Sequence, residues 1–198
     1  MFLTVLKTGG EFNERHVRWL QRQIGSEIFC LTDSPAAMPD VKTIPLAHDW
    51  PGWWAKMEMF RPDIDGDFLY ADLDTVFLKP PTIRLTETHV LADMYGREHM
   101  NSGLMFLTVD DRREIWNDFI REPAAEMRRY GGDQDFLNRY LGKKKRFQWE
   151  FPGKIVSYKA DILKEKPQGG SLQTAEIVVF HGNPRPWLVA ATWIPKLD

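Results

Sequence analysis

A chain of 198 residues that is 43% hydrophobic and 27% charged holds enough apolar material for one globular domain with a substantial core. Its net charge of -2 excludes a broad basic field, so no nucleic-acid partner is expected. The single Cys30 excludes an internal disulfide and a cysteine-rich zinc site. No window approaches the roughly 18 consecutive apolar residues of a transmembrane segment, and the N-terminus lacks a secretory pattern, so a cytoplasmic location is the expectation.

Phe2-Leu3-Thr4-Val5-Leu6 predicts a short strand, closed by Thr8-Gly9-Gly10, where the backbone can approach a ligand. Val17, Leu20 and Ile24 at helical spacing predict a helix over 11–24, ended by Gly25. Strands follow over 27–31, running into Thr32-Asp33-Ser34-Pro35, and over 41–44. A short helix over 53–60 stops at Arg61-Pro62, and a strand over 67–71 delivers Asp72-Leu73-Asp74. This alternation predicts an open α/β sheet, which binds ligands beyond the carboxyl ends of its strands. Thr8-Gly9-Gly10, Thr32-Asp33 and Asp72-Leu73-Asp74 all fall at such ends.

The second half predicts strands over 90–94 and 104–109, joined by a loop over 95–103 that holds Asn101-Ser102-Gly103. A helix over 111–121 is ended at Glu122-Pro123. Gly131-Gly132 precedes a helix opened by Asp133-Gln134-Asp135, where either acid reads on propensity alone as a cap. Lys143-Lys144-Lys145-Arg146 reads as a solvated turn, or as a short patch able to touch an anionic surface. A last buried strand over 177–180 delivers His181-Gly182 and then Pro184-Arg185-Pro186-Trp187. Eight Trp are present, several beside Gly or Pro, a context in which an indole either packs on sugar or base or seals a loop over the core.

Two carboxylates one residue apart at a strand exit suit a hard cation, because an unpaired carboxylate inside the sheet would be forced neutral. Asp72 and Asp74 therefore point to Mg²⁺ or Mn²⁺ serving an anionic ligand. The order of motifs, a strand-borne Asp-x-Asp, then Asn101-Ser102-Gly103, then Asp133-Gln134-Asp135-Phe136-Leu137-Asn138, then His181-Gly182-Asn183-Pro184-Arg185-Pro186-Trp187, resembles the GT-A nucleotide-sugar glycosyltransferases. Within them it is most similar to family 8, the glycogenin and lipopolysaccharide-galactosyltransferase group, and the similarity covers nearly the whole chain.

The resemblance implies a single α/β domain of GT-A type, a mixed central sheet flanked by helices. Its nucleotide-binding half would cover about 1–80 and its donor-sugar and acceptor half about 81–198. It implies retaining transfer of a sugar from a UDP-sugar to an acceptor hydroxyl on a carbohydrate, lipid-linked glycan or protein. Mn²⁺ (or Mg²⁺) would be held by Asp72, Asp74 and His181. Thr8 and Gly9, with Asp33 a further candidate, would hold the base or ribose. Lys56, Asp72, Gly182 and Arg185 would bind the donor, Arg185 neutralising its diphosphate, and Asn101 would contact the donor sugar or the acceptor. Asp133, Gln134 and Asp135 would lie beneath the reacting carbon. The chain departs from the family by one residue fewer between His181 and Gly182 and by Arg185 in place of a lysine, although Arg can fork onto phosphate oxygens.

Two rival readings follow from the same residues. Asp72-Leu73-Asp74-Thr75-Val76 also satisfies the first motif of haloacid-dehalogenase-type phosphatases, with Asp72 as nucleophile and Asp74 as acid/base. That motif belongs on a first strand, and three predicted strands precede it here. A carbohydrate-binding module would account for the Trp content, but not for the helices.

Overall fold

A computed structural model describes residues 1–95, 99–164 and 170–197. Strands β1 (Phe2–Leu6), β2 (Phe29–Thr32), β3 (Lys42–Pro45) and β4 (Phe68–Ala71) run parallel, in the order β3-β2-β1-β4. The sheet is completed by β7 (Met100–Leu107), antiparallel to β4, then β6 (His89–Ala92) and β8 (Lys145–Arg146). A second, three-stranded sheet joins β5 (Val76–Phe77), β10 (Ile177–Val179) and β9 (Ile155–Ser157).

Strand β4 is buried on both faces, which is why its sequence is a continuous apolar run. In β4, Phe68 and Tyr70 join one apolar cluster and Leu69 and Ala71 the other, as the two-residue strand period requires. The first cluster is closed by a 3-10 run over Gly52–Phe60, and by helices α2 (Val109–Phe119) and α4 (Asp133–Leu141). The second is closed by α1 (Glu14–Ile24). Among the described residues no helix is long and apolar enough to cross a membrane.

Several predicted boundaries move. Helix α1 begins at Glu14 rather than at residue 11, because Asn13 caps it: its Oδ1 accepts the Arg15 N–H and the His16 side chain bonds back to the Asn13 N–H. Residues 8–12 are thereby released to the site. Helix α2 ends before Glu122-Pro123, as predicted, and Pro123 then opens α3 (Pro123–Arg129), since proline's missing N–H costs nothing in a first turn. Strand β7 begins at Met100, not at residue 104. Its polar Asn101-Ser102 reads locally as loop, yet strands on both sides pair with β7. Residues 96–98 of the predicted loop over 95–103 lie outside the described residues.

The basic tetrad is a solvated turn only at its lysines. Arg146 is 2% exposed and donates to the carbonyls of Leu141, Gly142 and Lys144, so a guanidinium caps the C-terminal end of α4. The chain then forms α5 (Phe147–Glu150), an element with no signal in the sequence.

Candidate functional site

Strand β1 lies between β2 and β4, so the connections leaving it diverge and open a crevice at the carboxyl ends. A cleft of about 460 Å³ occupies that place, lined by residues 5–12 at and beyond the end of β1, by Gly52, Trp53, Ala55 and Lys56, by Tyr70, Asp72, Leu73 and Asp74, and by Arg185. Gly9 has φ +88°, a left-handed value that favours glycine, and a Cβ there would meet nothing within 4 Å.

The floor of the cleft is a carboxylate cluster bound to two cations. Lys56 Nζ lies 2.9 Å from Asp72 Oδ1 and 3.6 Å from Asp133 Oδ2. The Tyr70 hydroxyl donates to Asp72 Oδ1 at 2.5 Å, and burial raises its pKa well above the ordinary phenol value. Arg185 donates through Nη1 to Asp74, and through Nε and Nη2 to Glu11 at 2.8–3.0 Å. Burial, reinforced by Asp72 and opposed by Arg185 and Lys56, pushes the Asp74 carboxyl up to about 7. Burial also raises Asp133, against the attraction of Lys56.

Four carboxylates (Glu11, Asp72, Asp74, Asp133) thus share Lys56 and Arg185. The excess of negative charge, with Asp74 driven toward its neutral form, is what a divalent cation would relieve, and oxygen donors of this kind suit Mn²⁺ or Mg²⁺. The residues fit such an ion in charge and in chemistry. They do not assemble the full ligand set implied by the family resemblance. Among the described residues no three His, Cys, Asp or Glu side chains converge as a metal-ready group. The predicted third ligand, His181, instead places Nε2 2.8 Å from Ser157 Oγ, and its ring meets Tyr95 edge-on. Burial, with Lys159 nearby, keeps its imidazole below the usual histidine pKa and neutral at pH 7.

The remaining predicted residues divide into three places. Thr8 donates its N–H and hydroxyl to Asp33 at 3.0 and 2.9 Å, joining the two loops expected to hold base and ribose. Burial works against the Asp33 charge, but the bonds from Thr8 and Lys7 outweigh it and hold its carboxyl below the usual range. Gly182, at φ +66°, turns the chain between His181 and the cis Asn183–Pro184 bond.

The α4 residues grip β7. Ser102 Oγ donates to Asp133 at 3.1 Å, and Gln134 Oε1 accepts the Ser102 N–H at 3.2 Å. Asn138 Oδ1 accepts the Met100 N–H at 3.1 Å, and Asn101 Oδ1 accepts the Gly103 N–H at 2.9 Å. The cause is a register break: pairing jumps from Val90↔Met105 to Leu91↔Asn101, leaving N–H groups that side chains must satisfy. Neither acid of Asp133-Gln134-Asp135 is a cap, since Gly132 holds that position. Asp133 is buried beside Lys56, whereas Asp135 is exposed on the outer face.

Sequence reasoning missed Glu11, Tyr70 and Ser102. Tyr70 was available, because side chains two apart on a strand share a face and Tyr70 is two before Asp72. Glu11 was hidden inside a helix predicted three residues too long.

The chain matches no protein-family model. Over 119 residues, 59% of its length, it is 28% identical to inositol phosphorylceramide glucuronosyltransferase 1 of Arabidopsis thaliana, and the match spans 20% of that protein. Among solved structures it resembles the glycosyltransferase GlyE of Streptococcus pneumoniae TIGR4, at TM-score 0.61 and 15% identity, covering 94% of this chain and 56% of that one. It also resembles an active-site mutant of LgtC, at TM-score 0.66 and 11% identity, covering 96% and 90% of the two chains. The galactosyltransferase LgtC in complex with donor and acceptor sugar analogs gives TM-score 0.55 at 11% identity, covering 94% and 88%. The mixed seven-stranded sheet flanked by helices is the GT-A fold of these glycosyltransferases.

Proposed function

We propose that this chain transfers a glycosyl group from a nucleotide-diphosphate sugar, a UDP-sugar, to an acceptor hydroxyl on a carbohydrate, lipid-linked glycan or protein. The observation that carries the reading is the pair Asp72 and Asp74, held by Lys56 and Arg185 in the cleft at the switch point and joined through Lys56 to Asp133. The plant relative and the fold neighbours, all glycosyltransferases by name, support it.

In this mechanism Thr8, Gly9 and Asp33 receive the base and ribose. Lys56 and Arg185 exchange carboxylate partners for diphosphate oxygens and stabilise the charge that grows on the leaving group. Arg185 is suited to this because its fork already engages two acids at once. Asp133 faces the developing positive charge of an oxocarbenium-like transition state. Mn²⁺ or Mg²⁺, when bound at Asp72 and Asp74, would neutralise the departing diphosphate. Transfer with retention of anomeric configuration belongs to the same proposal. Gln134 spends its carbonyl on Ser102, so its part there is to set Asp133 in place.

The phosphatase reading gains no support, because Asp72 follows the fourth strand of the sheet rather than the first. Melting the protein with UDP-sugars, with and without Mn²⁺, tests the proposal. Ligand at a hundredfold excess over Kd should stabilise by about 2.7 kcal/mol, and more with metal than without. No stabilisation by any nucleotide sugar in either condition would refute it.

A further inference from the structure

We propose that Trp53 is the surface on which a pyranose ring lies when the cleft is filled, an assignment that rests on the glycosyl-transfer function above. Trp53 is 69% exposed and lines the cleft, whereas its neighbour Trp54 is buried and stacks on Phe119 at 5.7 Å. Leaving the largest apolar side chain in water beside a charged site forgoes its burial, so the ring is free for a ligand.

Its position singles out the sugar end of that ligand. Trp53 and Lys56 are three apart in the 3-10 run over Gly52–Phe60, and three residues make one turn of such a helix, so both project from the same face. Lys56 holds Asp72 at 2.9 Å and Asp133 at 3.6 Å. The Cε3 edge of the indole lies 4.0 Å from where a Cβ on Gly132 would stand, next to Asp133. The same cleft is lined by Gly9, Gly10 and Gly52, where a Cβ would meet nothing within 4 Å, so its walls leave room for a ring. A flat apolar face beside buried carboxylates matches the two-sided chemistry of a sugar. Its C–H groups pack on the indole and its hydroxyls donate to the acids. The base and ribose belong to Thr8 and Asp33, on the loops after β1 and β2.

The ring comes from either the donor or the acceptor, and one experiment separates the two. The Trp53 indole N–H is assigned in protein labelled with ¹⁵N-tryptophan by its loss in Trp53→Phe. Methyl glucoside, methyl galactoside, UDP, UDP-glucose and UDP-galactose are then titrated with Mg²⁺ present, since paramagnetic Mn²⁺ would broaden the signal. A shift caused by UDP-sugars beyond that caused by UDP assigns the donor ring, and a shift caused by the methyl glycosides assigns the acceptor ring. A Trp53 signal that none of these sugars moves overturns the proposal. Calorimetry with UDP on the same samples reports separately whether the nucleotide-sugar reading stands. Steady-state kinetics give a second readout: Trp53→Ala should raise KM for the sugar that stacks at least fivefold, and Trp53→Tyr, which keeps an aromatic face, less than twofold. Equal KM values in Trp53→Ala and wild type for both sugars also overturn it.

Discussion

Replacing Asp133 by Asn separates stability from catalysis. At an effective dielectric constant near 20, unit charges at the 3.6 Å between Lys56 and Asp133 attract by about 5 kcal/mol. Burial opposes the charge, and with Asp72 it outweighs that attraction, since the Asp133 carboxyl sits above its usual range. An amide at this position therefore loses no net stability, and its oxygen still accepts the Ser102 hydroxyl, now at 3.1 Å from Asp133. The melting temperature should stay level or rise by up to about 3 °C, as 1 kcal/mol moves a domain of this size by roughly 2–4 °C. Transfer should fall at least about a hundredfold, the loss of roughly 2.7 kcal/mol of transition-state stabilisation at 1.36 kcal/mol per decade. Release of nucleoside diphosphate from a UDP-sugar with Mn²⁺ measures the rate, and Asp135→Asn, exposed and outside the cluster, is the control, staying within about threefold of wild type. Transfer by Asp133→Asn within threefold of wild type would refute the reasoning.

Other expectations follow from the same contacts. Asp74 is pushed up to about 7 by burial and Asp72. An acid whose folded pKa lies above its unfolded value destabilises the fold as pH rises between the two. Metal-free wild type should therefore lose a few kcal/mol from about pH 4 to pH 7, and melts should show Asp74→Asn flattening that slope and losing Mn²⁺-dependent nucleotide binding. Glu176 has the opposite sign: burial disfavours its charge, but bonds from Lys154 and Thr82 hold it down to about 2. Its stabilisation, on the order of 3 kcal/mol, is complete above the unfolded value near 4.3 and lost as pH falls toward 2. Urea titrations of Glu176→Gln should lose that amount at pH 7 and much less at pH 3. Asn138→Ala orphans the Met100 N–H and should cost about 1–3 kcal/mol in the same assay, while Asn138→Asp, which keeps an acceptor, should cost less.

The elements that sequence located well are those whose local pattern and tertiary role agree. Phe68-Leu69-Tyr70-Ala71 is apolar throughout because both faces of β4 are covered, so its strand and the Asp pair beyond it are evident from composition alone. Gly25 ends α1 at φ 67°, a position where a left-handed glycine was to be expected. The grouping of the loops after β1 and β4 around one crevice, with the loop after β2 tied to the first through Asp33, follows from strand order.

What tertiary structure decided was the partner of each polar side chain. Asn101-Ser102 reads as loop until β4 and β6 pair on either side of it, and the register break between β6 and β7 gives Gln134 and Asn138 their work. Nothing local marks Arg146 as buried beneath α4, or His181 as the neighbour of Ser157. Asp133 and Asp135 look alike in the sequence, yet helix periodicity turns one onto Lys56 and the other into solvent. Sequence determines which chemistry is available at the ends of the strands. Which charges meet depends on contacts between residues far apart in the chain, such as Arg185 with Glu11 and Asp74, and only the folded sheet brings those together.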